Sequence, residues 1–207
     1  WLGHPHLVVI GNPPTGGFDA KLTRILAAVL NILGEPEPVE IERKWLLPEP
    51  PPADLLATSA PVDIFQVYLR PEQGPDGLVE RRVRSRTHDG HTVYFHTTKR
   101  PAPGGGRVEH EERIGAETFR LLAAMRDPDT VPVRKRRHCF VHEGQHFELD
   151  HLAEPVEAWL LEAELVAVGE TVTLPDALDG TVEVTEDPTW KNAHIARHYG
   201  PASGGRP

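Results

Sequence analysis

Glu40-Ile41-Glu42-Arg43-Lys44 carries a charge at every second position. In a strand, Glu40, Glu42 and Lys44 would share one face, two carboxylates and an ammonium within about 14 Å at about 3.4 Å per residue. Such a grouping suits a cation or a phosphate better than a core. Taken alone, one pentapeptide of this kind reads as a solvated edge strand. Its weight comes from repetition along the chain.

Beyond it, alternation predicts strands at about 39–47, 62–70, 78–86, 92–99, 107–114, 132–141, 145–151 and 158–167, with a helix from Ala116 to Met125 between the fifth and sixth. Asp89-Gly90 and Glu143-Gly144 fall where tight hairpins are needed, so neighbouring strands should be antiparallel. The Pro-rich stretch 48–61 reads as a long surface connection, and Pro101 to Gly106 as a flexible loop. Residues 170–186 offer a further strand, and Thr189 to His198 a short terminal helix. Ahead of the pentapeptide, His6 to Asn12, the Pro13-Pro14 and Gly16-Gly17 pairs and then Phe18 to Leu33 read as strand, turn and amphipathic helix, closed by Gly34. The glycine-rich turn is not followed by Gly-Lys-Ser/Thr, so it is not a phosphate loop.

The charges follow the strand period. Glu80, Arg82, Arg84 and Arg86 share a face, as do Thr97 and Lys99, then Arg107, Glu109, Glu111 and Arg113. Lys135 aligns with Arg137, Glu148 with Asp150, and Glu162 with Glu164. Two arrangements accommodate this: a sheet whose charged faces meet bulk water, or a closed eight-stranded barrel with a wet, charge-balanced lumen. Inside a barrel the acids and bases must find each other, a metal or a ligand, because an unpaired buried charge costs several kcal/mol. Carboxylates from different strands suit a hard divalent cation such as Mg²⁺ or Mn²⁺, and the many arginines and lysines suit a polyphosphate.

The composition sets limits. The 207 residues suit one domain with an appendage, and the hydrophobic share of 39% implies a modest or partly polar interior. A formal charge of -9 argues against nucleic acid or an anionic membrane surface as the main partner. Arg134 to Arg137 is a basic run, but on a strand its members divide between two faces. No apolar run approaches the length of a membrane span. A single cysteine, Cys139, precludes an internal disulfide; a reducing, cytoplasmic setting is the expectation. The chain begins at Trp1 without Met and without a visible signal peptide, which suggests a fragment of something longer. Among twelve histidines, His138 and His142 share a strand face without a zinc-binding helix pattern, and read as surface residues. Cys139 and Trp159 read as packing residues.

Taken together, the chain resembles the CYTH family of triphosphate tunnel metalloenzymes. Glu40, Glu42 and Lys44 match its opening Glu-x-Glu-x-Lys; Gln66 and Tyr68 lie in the second strand, and Arg82 and Arg84 match its Arg-x-Arg. Thr97-Thr98-Lys99, the set Arg107, Glu109, Glu111 and Ile114, the pair Lys135 and Arg137, Leu149-Asp150 and Leu161-Glu162-Ala163-Glu164 follow in order over about 39–198. Glu183-Val184-Thr185, Asp187, Trp190 and Asn192 resemble its closing segment, with Trp where Tyr is usual.

The resemblance implies an α+β, mainly β fold: an eight-stranded antiparallel closed barrel, the triphosphate tunnel, with flanking helices and a short N-terminal strand-helix segment. Residues 1–38 would be the strand-helix remnant of a preceding P-loop NTPase domain plus a linker, although Gly11-Asn12 stands where such domains have Asp-Asn. Residues 39–198 would be the tunnel domain and 199–207 a flexible tail. The implied function is Mg²⁺- or Mn²⁺-dependent hydrolysis of a triphosphate-containing small molecule, with cyclisation of ATP a less favoured variant. Glu40, Glu42, Glu162, Glu164 and Asp150 would hold metal. Lys44, Arg82, Arg84, Lys99, Lys135 and Arg137 would contact phosphate, with Lys44 and Glu42 the catalytic pair and Lys44 a conceivable base. Gln66, Tyr68, Arg86, Thr97, Glu109, Glu111 and Glu148 would line the tunnel. The rival expectation is a non-catalytic module that binds a polyphosphate, nucleotide or phosphoinositide head group and is coupled to a fused NTPase.

Overall fold

A computed structural model describes residues 2–4, 7–12, 17–33, 41–102, 107–165 and 169–200. Nine strands are found among them: β1 (Glu42–Leu47), β2 (Ala60–Gly74), β3 (Gly77–His88), β4 (His91–Pro101), β5 (Arg107–Ile114), β6 (Val133–His142), β7 (Gln145–Glu154), β8 (Ala158–Glu164) and β9 (Val182–Glu183). They form one antiparallel sheet in the order β5-β4-β3-β2-β6-β7-β8-β1-β9. In β1, β3 and β5 to β8 charged side chains recur at alternate positions on one face, so that face of the sheet is polar, and the hydrocarbon on the other must be covered. The hairpins lie where turn chemistry places them. Asp89 and Gly90 have φ of 48° and 75°, and Glu143 and Gly144 48° and 78°, the left-handed pair of a two-residue hairpin.

The expected closed eight-stranded barrel is not what forms. β1 pairs with β8 along one edge, and its other edge is taken by β9 at Trp45 and Leu46 and by the Val184 amide, which donates to the Lys44 carbonyl at 2.8 Å. With both edges of β1 engaged, it cannot receive β5, and the sheet is open with β5 and β9 at its borders. A bidentate ion pair from Arg43 to Glu183, at 2.6 and 2.9 Å, clamps this short strand in place.

Helices cover the outer face. Trp45, Leu47, Phe140, Phe147, Leu149, Leu161 and Ala163 form the largest core cluster, on the convex side of β1, β8, β7 and β6. α2 (Ala53–Thr58) lays Leu55 and Leu56 against it. That helix falls within the segment expected to be a plain connection. Its prolines end at Pro52, where φ of -56° suits a helix entry, and the following six residues contain none. α3 (Ala116–Ala124) packs Phe119 over Val67, Leu69 and Val83 on β2 and β3. Fully burying each such Leu or Phe contributes about 1.5–3 kcal/mol.

α4 (Asn192–His198) closes one end of the concave face, where charge gives way to hydrocarbon: Ile195 meets Leu152 and Leu160, and Ala196 meets Tyr68 and Val133. α1 (Gly17–Leu33) forms as its spacing predicts, yet Leu22, Leu26 and Val29 stay exposed, and an Arg24–Glu170 ion pair at 2.8 Å links it to the rest. Residues 7–12, expected as a strand, pair with no sheet edge. Glu40, Gly34, residues 103–106 of the expected loop and residues 201–207 of the expected tail lie outside the described residues. No helix among the described residues is long and apolar enough to cross a membrane.

Candidate functional site

The alternation that organises the strands places the predicted residues together. Strand register aligns Gln66 with Arg84 and Tyr68 with Arg82 across β2 and β3, Arg82 with Thr97 across β3 and β4, and Lys99 with Glu109 across β4 and β5. On the other wing, Arg137 faces Asp150, Glu148 faces Glu162, Lys44 faces Glu162 and Glu42 faces Glu164. All of these side chains therefore stand on one concave surface, supplied by eight strands. A single-residue slip in any ladder would turn that strand's charges into the outer hydrocarbon layer.

Arg137 is the hub of the β1–β8–β7–β6 wing. Its Nε and Nη2 donate to the two Asp150 oxygens at 2.7 Å each, Nη2 also donates to Glu162 at 2.8 Å, and Nη1 donates to Glu148. Lys135 donates to Asp150, which is 1% exposed. Lys44 Nζ lies 2.7 Å from Glu162 and 3.7 Å from Glu42. Burial alone would push the Lys44 ammonium down, but Glu162 and Glu42 outweigh it and hold it above the ordinary lysine value. Lys135 goes the other way, lowered by burial and by the neighbouring Arg137. Burial would raise the Glu162 carboxyl, yet Lys44, Lys135 and Arg137 hold it well below the usual range.

The β3–β4–β5 wing repeats the design. Arg84 pairs with Glu111 at 2.6 Å, and Thr97 donates to the same carboxylate at 2.8 Å. Glu109 takes Lys99 at 2.6 Å and Arg82 at 3.2 Å; burial opposes its ionisation, but Arg82 and Lys99 hold it down at about 2. Buried Gln66 donates to the Tyr68 hydroxyl at 2.7 Å. Arg107 extends this wing through Glu80 at 3.0 Å, a pair whose parity was legible in the sequence. Both wings thus present basic groups held by carboxylates in a partly dehydrated groove. An arriving oxyanion could take the same donors.

The expected metal ligands are brought near one another in register and not into a finished shell. Glu42 and Glu164 are cross-strand partners at one end of the face, next to Glu162 and Glu148. Among the described residues no group of three His, Cys, Asp or Glu side chains converges to hold a metal ion. Glu162 is engaged by Lys44 and Arg137, and Asp150 by Arg137 and Lys135. Two of the histidines stay apart from the groove: His138 Nδ1 bonds Ser59 Oγ at 2.8 Å on the outer face, and His151 stacks on Trp159 with 4.3 Å between ring centroids. One participant left no sequence signal. The Gly3 carbonyl accepts from Arg86 Nη2 at 3.0 Å, and a backbone oxygen is invisible to any reading of side chains.

No family model and no curated protein matches the sequence. Solved structures do match. The crystal structure of the inorganic triphosphatase NE1496 is similar at a TM-score of 0.50 and 28% identity, covering 77% of this chain and 95% of that one. A crystal structure described as that of the hypothetical protein NE1496 is similar at a TM-score of 0.50 and 30% identity, covering 76% of this chain and 97% of that one. Likeness of this extent to a triphosphatase, joined to the acidic and basic strands that converge on one concave face, places the chain in the CYTH family.

Proposed function

We propose that this chain hydrolyses a phosphoanhydride bond of a triphosphate laid along the concave face. The observation that carries this is the convergence of Lys44, Arg82, Arg84, Lys99, Lys135 and Arg137, from four strands, on one groove whose carboxylates pair with them and align them. Similarity to an inorganic triphosphatase supports it. In phosphoryl transfer the protein's work is mostly positioning and charge neutralisation, and aligned arginines and lysines supply both.

Arg82, Arg84 and Lys99 would hold one stretch of the phosphate chain, and Arg137, Lys135 and Lys44 the other. Each exchanges a carboxylate partner for phosphate oxygens without leaving its strand. Lys44, held in its charged form by Glu162 and Glu42, fits a phosphate contact better than a base. Water adds to the terminal phosphorus, the bridging P–O bond breaks, and the proton of the water passes to solvent or to a released phosphate. The donor set fits a divalent cation in chemistry: Glu42, Glu164 and Glu162 offer hard carboxylate oxygens on adjacent strands, with Glu40 outside the described residues. Mg²⁺ or Mn²⁺ bound there would neutralise bridging oxygens and acidify water.

Phosphate release from tripolyphosphate, ATP, GTP and thiamine triphosphate with Mg²⁺ or Mn²⁺ tests this. Glu42→Gln should abolish metal-dependent release; a fully active variant would overturn the assignment. Tight binding without release from any of the four would instead favour a non-catalytic polyphosphate-binding module.

A further inference from the structure

Arg86 stands on the concave face of β3, two residues beyond Arg84 and opposite Ile64 of β2. It is 4% exposed. Arg84 pairs with Glu111, and Arg137 with three carboxylates, whereas the acceptor found for Arg86 among the described residues is neutral: Nη2 donates to the Gly3 carbonyl, and its buried Nε, like that of Arg84, has no acceptor there. Burial, together with the like charges of Arg84 and Arg137, pushes the guanidinium down to about 10, and Glu148 offsets only part of this. A buried guanidinium satisfied by a carbonyl alone retains most of its desolvation cost, and an anion would relieve it. The position also prolongs a row: Arg82, Arg84 and Arg86 are spaced about 6.8 Å apart along the strand, two residues at about 3.4 Å each.

Over this end of the groove lies a strap made of residues 2–4 and 7–12. Leu2 packs with Val62, Ile64 and Cys139. Gly3, at φ of 84°, comes so close that a Cβ would stand 2.9 Å from Val62 Cγ2. Farther on, Gly11 presses on the β6–β7 hairpin, where a Cβ on Gly144 would stand 2.7 Å from the Gly11 Cα. Both contacts need glycine. α4 covers the opposite end, so the strap decides whether the row of arginines can be followed outward.

We infer that Arg86 is a further anion subsite, one step beyond Arg84, which receives a terminal phosphoryl group of a linear polyphosphate longer than a triphosphate. In the strapped form the Gly3 carbonyl takes the place of a phosphate oxygen, and the groove accepts short chains. Displacing the strap opens the subsite. This rests on the reading of the groove as a polyphosphate site.

Calorimetric binding of tripolyphosphate and of a long-chain linear polyphosphate, both with Mg²⁺, tests it without requiring turnover. Gly3→Val and Gly11→Val should each raise the affinity for the long chain relative to tripolyphosphate about tenfold, in line with one charge-assisted hydrogen bond. Adding Arg86→Gln to Gly3→Val should return the ratio to that of the parent chain. An unchanged ratio in both glycine variants, with tripolyphosphate still bound, overturns the subsite alone, as does a gain that survives Arg86→Gln. Failure of the parent chain to bind tripolyphosphate at all would overturn the polyphosphate groove and the subsite with it.

Discussion

Arg137→Met would remove the hub of the concave face while keeping most of the buried stem. Arg137 holds Asp150 through two bonds, Glu162 through one and Glu148 through another, and it is 4% exposed. Taking one partner from a buried ion cluster costs about 3–5 kcal/mol, because the remaining charges stay dehydrated. Lys135 still serves Asp150 and Lys44 still serves Glu162, which places the cost near the lower figure, about 3 kcal/mol. For a chain of this size that lowers the melting temperature by about 6–12 °C at neutral pH.

The pH dependence has a definite sign. In the parent chain burial raises the Glu148 and Glu162 carboxyls, but cationic neighbours overcome it and both sit below the ordinary value. Groups depressed on folding contribute stability above their unfolded pKa and lose it as pH falls through the folded pKa. Without Arg137, burial dominates at Glu148, whose folded pKa rises above the unfolded one. Its contribution is then greatest at low pH and declines as pH rises through the folded pKa. The gap between variant and parent should therefore narrow from about pH 8 to about pH 5, read by circular dichroism melts or differential scanning calorimetry at fixed ionic strength. A gap under about 2 °C, or one that widens on acidification, would show that these charges are solvated and that the hub carries little.

Two further perturbations probe the packing. Phe119→Ala should cost about 3–4 kcal/mol in urea denaturation, since the ring bridges α3 to Phe65 and to Tyr94, with its centroid 4.9 Å from the latter; a loss under about 1 kcal/mol would mean that α3 is loosely docked. The Cys139 thiol, fully buried and pushed by burial up to about 11, should react with an aromatic disulfide reagent at least about a hundredfold more slowly in the folded chain than in denaturant, and prompt stoichiometric labelling would contradict that burial.

Much of the site was legible because strand periodicity is strict. Once Arg82, Arg84 and Arg86 alternate with Arg81, Val83 and Ser85, their common face follows from the pleat, and the same holds for Lys135 with Arg137 and for Glu162 with Glu164. The hairpins at Asp89-Gly90 and Glu143-Gly144 then fix which strands are neighbours. α2 was hidden by the prolines ahead of it, since a six-residue helix depends on docking Leu55 and Leu56 more than on local propensity.

What the sequence by itself determined is the set of side chains that share the concave face, because period and register are local properties of the chain. What only the tertiary structure decided is which of them pair, where the sheet stops and what covers its ends. Arg137 could have met any of several acids, and its choice of Asp150, Glu148 and Glu162 depends on strands brought together from afar. Closure was lost to a two-residue strand, β9, that occupies the free edge of β1. The partner of Arg86 is a backbone carbonyl more than eighty residues away, positioned by glycine contacts across the fold.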